Sequence, residues 1–509
     1  DWISSIATWR LDYQLQTGRV TLWDSHFQLP HRKLEAEKPS RFSVGGNQQL
    51  EIYEYPAGYA RKYDDIDRGG GERSDVSNIF EDNQRTVQTR MDELDSQYKT
   101  ANGISDCATM AGGHRFTLYN HPSKEADGDY VIVDLTHEIE QSPNYVANEE
   151  IVGAYGNSFR CIAHGKGVPP FRPPQKTPKP VIMGSQTATV VGPQGEEIFT
   201  DKYGRVKVQF HWDREGRVDP DSSCWMRVAQ GWAGNRWGTM FIPRIGMEVL
   251  VHFMEGDPDQ PIITGCVYNP VAMPPYKLPD EKTKMTIKSN SSKGGGGFNE
   301  FRFEDKKGSE QIFMHGEKDL DIRIKNDAKE LIKRDRHLIV ERNQKERVKK
   351  DKHLKVDYNH HEHIGAQMTQ KIGTSKEVKT GMKYAVDAGT EIHLKAGMSM
   401  TLEAGATLTL KVGGNFININ PAGVFVSGTV VMLNSGGAAG SGSGASPQTP
   451  EEPLEAANAD PGQDTKKPPA PPPAPPSSQS AKSQAVANAF LKGAPFIRPQ
   501  SSGKISQDK

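Results

Sequence analysis

The sequence has no dominant charge. Its 63 Lys and Arg are offset by 64 Asp and Glu, a formal net charge of −1. That balance leaves no basic footprint for nucleic acid and no polybasic membrane signal. No apolar run is long enough for a transmembrane helix. Cysteine is scarce: Cys107, Cys161, Cys224 and Cys266 lie far apart with no C-x-x-C pair. This excludes a disulfide framework and a zinc site, and fits free thiols in a reducing compartment. Apolar residues make up only 35% of the 509, and mean hydropathy is −0.67. A compact globule of this length is normally richer in them. The chain is therefore expected to be partly extended or disordered, with about three domains. It opens at Asp1 rather than Met, so it reads as a fragment in which a signal peptide is neither seen nor excluded.

Glycine is present in an ordered way. Gly365, Gly373, Gly381, Gly389, Gly397, Gly405 and Gly413 recur at a period of eight. The preceding residue extends the phase backwards through Ile324, Ile332, Val340, Val348, Val356, Ile364 and Ile372. Octads counted from Asp319 continue to about Val430. Each octad reads as a short strand and a turn. Alternation puts its second, fourth and sixth residues on one face. The predicted core therefore includes Ile392, Leu394, Leu402, Leu408, Leu410 and Val412. Outward positions carry Glu391, His393, Lys395, Thr401 and Glu403. Glycine at the seventh position is expected to set the corner.

An eight-residue strand has almost no core of its own and must stack on neighbours, so the unit is a fibrous β-solenoid. The period alone does not decide between one coiled chain and several intertwined ones. Fourteen layers at about 4.8 Å make a rod of about 67 Å. From Asp319 to Tyr358, 13 Lys/Arg and 9 Asp/Glu fill 22 of 40 positions. Glu330, Glu346 and Glu362 fall on inward positions, which predicts a wider, wetter section with paired charges.

Residues 183–270 read as short strands (Arg205 to Phe210, Trp225 to Val228, Glu248 to Phe253) separated by turn signals at Asp201 to Gly204, Asp213 to Gly216 and Gly256 to Asp259. This predicts a small Greek-key barrel. Residues 1–175 mix strand text (Gly18 to Trp23, Tyr130 to Glu138) with a helix over Ile79 to Lys99. A connector spans 271–318 and the octad rod 319–435. A Gly/Ser/Pro linker follows over 436–481, then a short segment over 482–509 in which apolar spacing returns at Ala485, Phe490, Leu491, Phe496 and Ile497.

Several clusters invite chemistry, and each has a plainer reading. In the run His360, His361, Glu362, His363, the alternate His361 and His363 share a face as ligands would, but both sit at outward positions of a surface strand. Gly440-Ser441-Gly442-Ser443-Gly444 is like a nucleophile elbow, yet its centre is Gly442 and the strand–turn–helix context is absent. His211, Trp212 and Asp213 read as a barrel rim, and Glu255, Asp257 and Asp259 as a charged hairpin tip. Trp225, Trp232 and Trp237 with Arg205 and Lys207 form a possible stacking platform for nucleic acid or sugar; core or interface packing is preferred. No phosphate loop occurs. No catalytic, cofactor or metal residue is assigned, and the chain is read as no enzyme.

The barrel run from Glu197 to Asp213 (EIFTDKYGRVKVQFHWD) resembles the signature of the valine–glycine repeat protein G family, VgrG. So do Ser223 to Arg227, Gly238 to Glu248 and Gly256 to Pro261, and Tyr53 to Tyr59 resembles the family's hub. The family forms the spike of the type VI secretion system. The resemblance implies a mainly β chain with an α+β phage-hub-like N-terminal part, here N-terminally shortened. An OB-type barrel, a triple-stranded intertwined β-helix and a disordered C-terminal tail follow. It implies a homotrimer seated on the Hcp tube among baseplate components, with a PAAR-repeat tip protein docked at Val430, Val431, Met432 and Leu433. An effector or adaptor would bind Phe490, Leu491, Phe496 and Ile497, and no nucleic acid is expected. Such a spike resides in the bacterial cytoplasm before firing and is then secreted. The alternative is a phage-type tail spike with glycan-binding or cell-wall-degrading activity, which would need a carboxylate pair in a cleft.

Overall fold

The computed structural model describes residues 5–60, 63, 76–140, 155–434 and 436–463. The chain divides into two units, residues 1–320 with 459–509, and residues 321–458.

The first unit begins with a five-stranded sheet ordered β1-β5-β8-β7-β6. Its strands are β1 (Ile6–Tyr13), β5 (Lys99–Ser105), β6 (Arg115–Leu118), β7 (Gly128–Ile139) and β8 (Tyr155–Ala163), all antiparallel. Alternation buries Ala101, Ile132, Phe159 and Cys161 on one face, and Trp9 closes on Tyr130 at a centroid distance of 4.8 Å. Gly103 is required there, because a Cβ would lie 2.5 Å from the Phe159 ring. Burial pushes the Cys161 thiol up to about 12, so it stays protonated.

A second sheet, ordered β3-β2-β4, contains β2 (Arg19–Asp24), β3 (Leu34–Pro39) and β4 (Glu51–Glu54). Helix α1 (Ile79–Asp95) lies on it with Ile79, Val87 and Met91 facing Val20, Leu22, Leu34 and Ala36. Those helix positions fall on one face at the 3.6-residue period. The helix expected over 79–99 ends at Asp95, since Lys99 already belongs to β5.

The barrel has the order β10-β9-β12-β13-β11, with β9 (Gln186–Val191), β10 (Lys207–Phe210), β11 (Arg227–Val228), β12 (Glu248–Phe253) and β13 (Pro261–Val267). An antiparallel bridge between Val206 and Met226 joins the two edges and closes it. Its interior is Ala188, Val190, Val206, Val208, Met226, Val249, Val251, Phe253 and Ile263. The connector holds a three-stranded meander, β14 (Lys284–Lys288), β15 (Glu300–Glu304) and β16 (Gln311–His315). Its buried Glu300 accepts hydrogen bonds from Tyr276 and, at 2.8 Å, from Thr286. Burial opposes that charge, but these bonds and Arg302 hold the carboxyl below its usual range.

In the second unit a bend recurs every eight residues, from 325–326 through 365–366 to 405–406. The bends fall on the seventh and eighth octad positions, where the sequence places the glycines. The extended stretches between them pair with no strand of this chain among the described residues. Ile392, Leu394, Leu402, Leu410 and Val412 are all more than half exposed.

One expectation needs correction. Of the seven corner glycines, only Gly413 has left-handed φ, at 56°, and a Cβ at any of them would meet nothing within 4 Å. Within one chain, then, the octad corners impose no requirement for glycine. The octad phase runs on to 430, but its last strands pair with one another. From Leu408 it becomes an antiparallel meander, β17 (Leu408–Val412), β18 (Asn415–Asn420) and β19 (Gly423–Ser427). Gly413-Gly414 and Pro421-Ala422 supply tight reversals there, at the same seventh and eighth octad positions as the other corners.

The barrel's entry loop depends on one carboxylate. Asp201 Oδ1 accepts the backbone N–H groups of Tyr203 and Arg205, both at 2.9 Å, while Oδ2 binds Arg205 Nε at 2.7 Å. Both side chains are buried, at 5% and 1% exposure. Removing one partner leaves a buried charge uncompensated, so Asp201→Ala should cost about 3–5 kcal/mol of barrel stability. Urea unfolding followed by Trp225 fluorescence tests this; an unchanged midpoint would refute the role assigned to Asp201.

Candidate interaction surfaces

Where the barrel meets the hub sheets, Arg205 forms the joint. Its guanidinium stands 5.2 Å from the Phe27 ring and 5.4 Å from that of Tyr203. Arg227 approaches Phe27 at 5.3 Å. Phe27, from the loop after β2, thus lies against two barrel arginines. Stacked, desolvated guanidinium–aromatic contacts of this kind contribute about 2 kcal/mol. Sequence reading missed Phe27, because nothing local distinguishes it; only Arg205 was singled out.

The stacking platform set aside in favour of packing does not assemble as one surface. Trp225 packs on Phe199 at 4.8 Å and beneath Lys207 at 5.2 Å. Trp232 and Trp237 form a separate edge-to-face pair at 4.9 Å. Their loop is held by a bridge between Ala233 and Gly238. Both indoles are exposed, at 64% and 41%.

The remaining clusters have structural partners. Trp212 stacks on Phe210 and donates to Gln186 at 2.9 Å, Asp213 accepts from Gln209 at 2.9 Å, and His211 is 3.9 Å from Glu248. At the hairpin tip, Asp257 and Asp259 hold the Lys179 ammonium at 2.7 and 3.3 Å. Desolvation opposes the Lys179 charge, but the two carboxylates keep its pKa above the ordinary lysine value. His360, His361 and His363 lie exposed on the rod. Among the described residues no three His, Cys, Asp or Glu groups converge as metal ligands would. None of their helices is long and apolar enough to cross a membrane.

At the end of the rod, Leu410, Val412, Ile417, Ile419, Val424 and Val426 share one face of the meander by register. Each is at least 40% exposed. Beyond it Val430, Val431, Met432 and Leu433 are exposed too. Both stretches thus leave apolar side chains uncovered at the rod's end in a single chain. The residues expected to bind cargo, Phe490, Leu491, Phe496 and Ile497, lie outside the described residues.

The linker, expected to reach freely from the rod's end, departs from that expectation over 436–463. Within the second unit, Ser443 meets Glu391, and Glu451 meets Lys345 at 2.6 Å. That hydrogen bond, with the lysine's charge, holds the Glu451 carboxyl below its usual range. Within the first unit, Gln463 bridges to Asn235.

Three family models match in succession. Residues 4–143 match the phage tail baseplate hub (GPD), and residues 190–268 the type VI secretion system/phage-baseplate injector OB domain. Residues 285–396 match the bacteriophage T4 gp5 C-terminal trimerisation domain. Among curated relatives, the type VI secretion system spike protein VgrG5 of Pseudomonas aeruginosa is 48% identical over 448 residues, 85% of this chain and 53% of that protein. Its paralogue VgrG1c is 41% identical over 334 residues, 64% of this chain and 42% of that protein. The chain thus spans about half of these relatives or less. A solved E. coli type VI secretion component, c3393, aligns at 19% identity over 38% of this chain and 44% of its own, with a TM-score of 0.26, too low to add weight. The hub, barrel and rod follow in the order of the three matched models, the rod leaves its apolar face open in one chain, and the relatives are alike over most of the sequence: the chain belongs to the VgrG family of type VI secretion spike proteins.

Proposed function

We propose that the chain is the body of a homotrimeric, membrane-puncturing spike. The observation carrying this reading is the octad rod, whose inward Ile392, Leu394, Leu402 and Leu410 are more than half exposed in a single chain. Three copies winding round a common axis bury them against one another. At about 25 cal/mol per Å², each leucine contributes about 2 kcal/mol per chain. The match to a trimerisation domain over 285–396 supports the same number of chains. The open corners at Gly397 and Gly405 fit close approach by neighbouring chains, which one chain cannot supply.

The hub-like sheets provide the base, seated on an Hcp tube among baseplate components. The apolar rod end at Val430, Val431, Met432 and Leu433 provides the platform for a PAAR-repeat tip protein. The tail, through Phe490, Leu491, Phe496 and Ile497, recruits an effector or adaptor. The spike works from the bacterial cytoplasm and leaves the cell on firing. It acts mechanically: the polar clusters considered above serve packing and loop closure.

Three outcomes test the proposal. Light scattering of the purified chain at micromolar concentration should give three times the monomer mass; Leu394→Asp with Leu402→Asp should give a monomer whose hub and barrel still fold. Purified chain added to peptidoglycan should release no reducing ends; release that is lost on Glu255→Gln would make it an enzyme. Deleting residues 464–509 should leave the trimer intact and reduce effector or adaptor capture from the producing cells at least about tenfold, with Phe490→Ala plus Phe496→Ala reproducing most of the loss. Undiminished capture by the deletion would end the tail's role.

A further inference from the structure

The segment after the rod has a sequence made for extension. Gly440 to Gly444 alternates glycine and serine, and Pro447, Pro450 and Pro453 follow at a spacing of three. That is the period of the polyproline II helix, which is fully extended and already ordered before it binds. Glu451, Glu452 and Glu455 lie among these prolines. The facing half of the rod is the one richest in lysine and arginine.

The contacts run in reverse order along the rod. Ser443 donates through its backbone N–H and its hydroxyl to the Glu391 carboxylate, at 3.1 and 3.0 Å, and its carbonyl meets the His393 ring. Glu451 then pairs with Lys345 at 2.6 Å, and Glu452 with Arg347 at 2.9 Å. Ala456 and Ala457 bond to Arg323 and Asp321, at 3.4 and 3.1 Å. Length and ladder agree. The chain between Ser443 and Glu451 reaches about 26–29 Å when extended, and the rod between His393 and Lys345 rises about 29 Å. In the other unit, Gln463 donates its N–H to Asn235 at 2.7 Å, and its carbonyl accepts from the Trp237 indole at 3.2 Å.

Two glycines mark the closest approaches. A Cβ on Gly442 would lie 2.6 Å from the His393 ring, and one on Gly462 2.3 Å from that of Trp237. Every rod residue touched (Asp321, Arg323, Lys345, Arg347, Glu391, His393) occupies an odd octad position. None is among the even positions that three chains would bury. Occupation of this surface therefore leaves the trimer seam free.

We propose that residues 436–463 are a return strap, an extended segment that docks on the outward face of its own chain's rod and ends in the Trp237–Asn235 notch of the barrel. Each ion pair is exposed and individually weak, but the anchors share one chain, so each raises the effective concentration of the next. The strap is held by the rod from Ser443 to Ala457 and by the barrel at Gln463. It rests on contacts within the chain and does not require the cargo reading; the 464–509 deletion keeps it.

An engineered disulfide tests this in the full chain. Asn235→Cys with Gln463→Cys, in a Cys266→Ser background because Cys266 is exposed, should oxidise to an intrachain bond. Gly442→Val with Gly462→Val should block that bond while leaving the mass by light scattering unchanged. Glu451→Lys with Glu452→Lys should slow it about threefold to tenfold, and adding Lys345→Glu with Arg347→Glu should restore it. Absence of the bond, indifference to both pairs of substitutions, or a bond found only between different chains on a denaturing gel would each overturn the proposal.

Discussion

An eight-residue strand cannot bury a core alone, and this constraint governs the rest of the molecule. Among the described residues it leaves the octads before Leu408 without ladder partners in their own chain, and it exposes leucines and isoleucines that period-two alternation puts on one face. The hub sheets and the barrel have no such need. Each closes its own interior, the barrel by joining its edges at Val206 and Met226. Self-sufficient domains and an insufficient rod lie on one chain, so the rod is where assembly must be decided.

Within the first unit, the joint of hub and barrel uses charge where a hydrophobic seam would be the usual solution. Asp201 neutralises Arg205 from one side and Phe27 receives it from the other. The same carboxylate fixes two backbone N–H groups of its loop. Loop geometry, barrel closure and the seat of the hub therefore share one ion pair. A sheet-to-sheet contact of similar size has no comparable means of setting orientation.

Much of this was legible in the sequence where the signal was periodic. The octad corners appear at the register of the glycines, and the barrel strands at 207–210 and 248–253 lie inside the stretches of alternation that predict them. The departures occur in strand pairing and at element ends, not in the period itself. Gly413-Gly414 turned the last octads into a meander, and Lys99 went to β5 rather than extending the helix. Phe27 and the Trp237–Gln463 contact were invisible for a different reason. They join positions remote in sequence, and no local pattern specifies a partner 226 residues away. A proline- and glycine-rich stretch reads as free linker because its composition reports the absence of a core, not the presence of a surface to lie on.

The meander at the rod's end has a consequence for growth. A ladder of identical octads presents the same cross-section at every level, so its last layer would template another, as stacked strands do in fibrils. At Gly413 the chain reverses, and β17, β18 and β19 turn their pairing on one another. The repeat is thereby capped by strands that pair within one chain, and its length becomes a property of the single chain, not of how many chains are available.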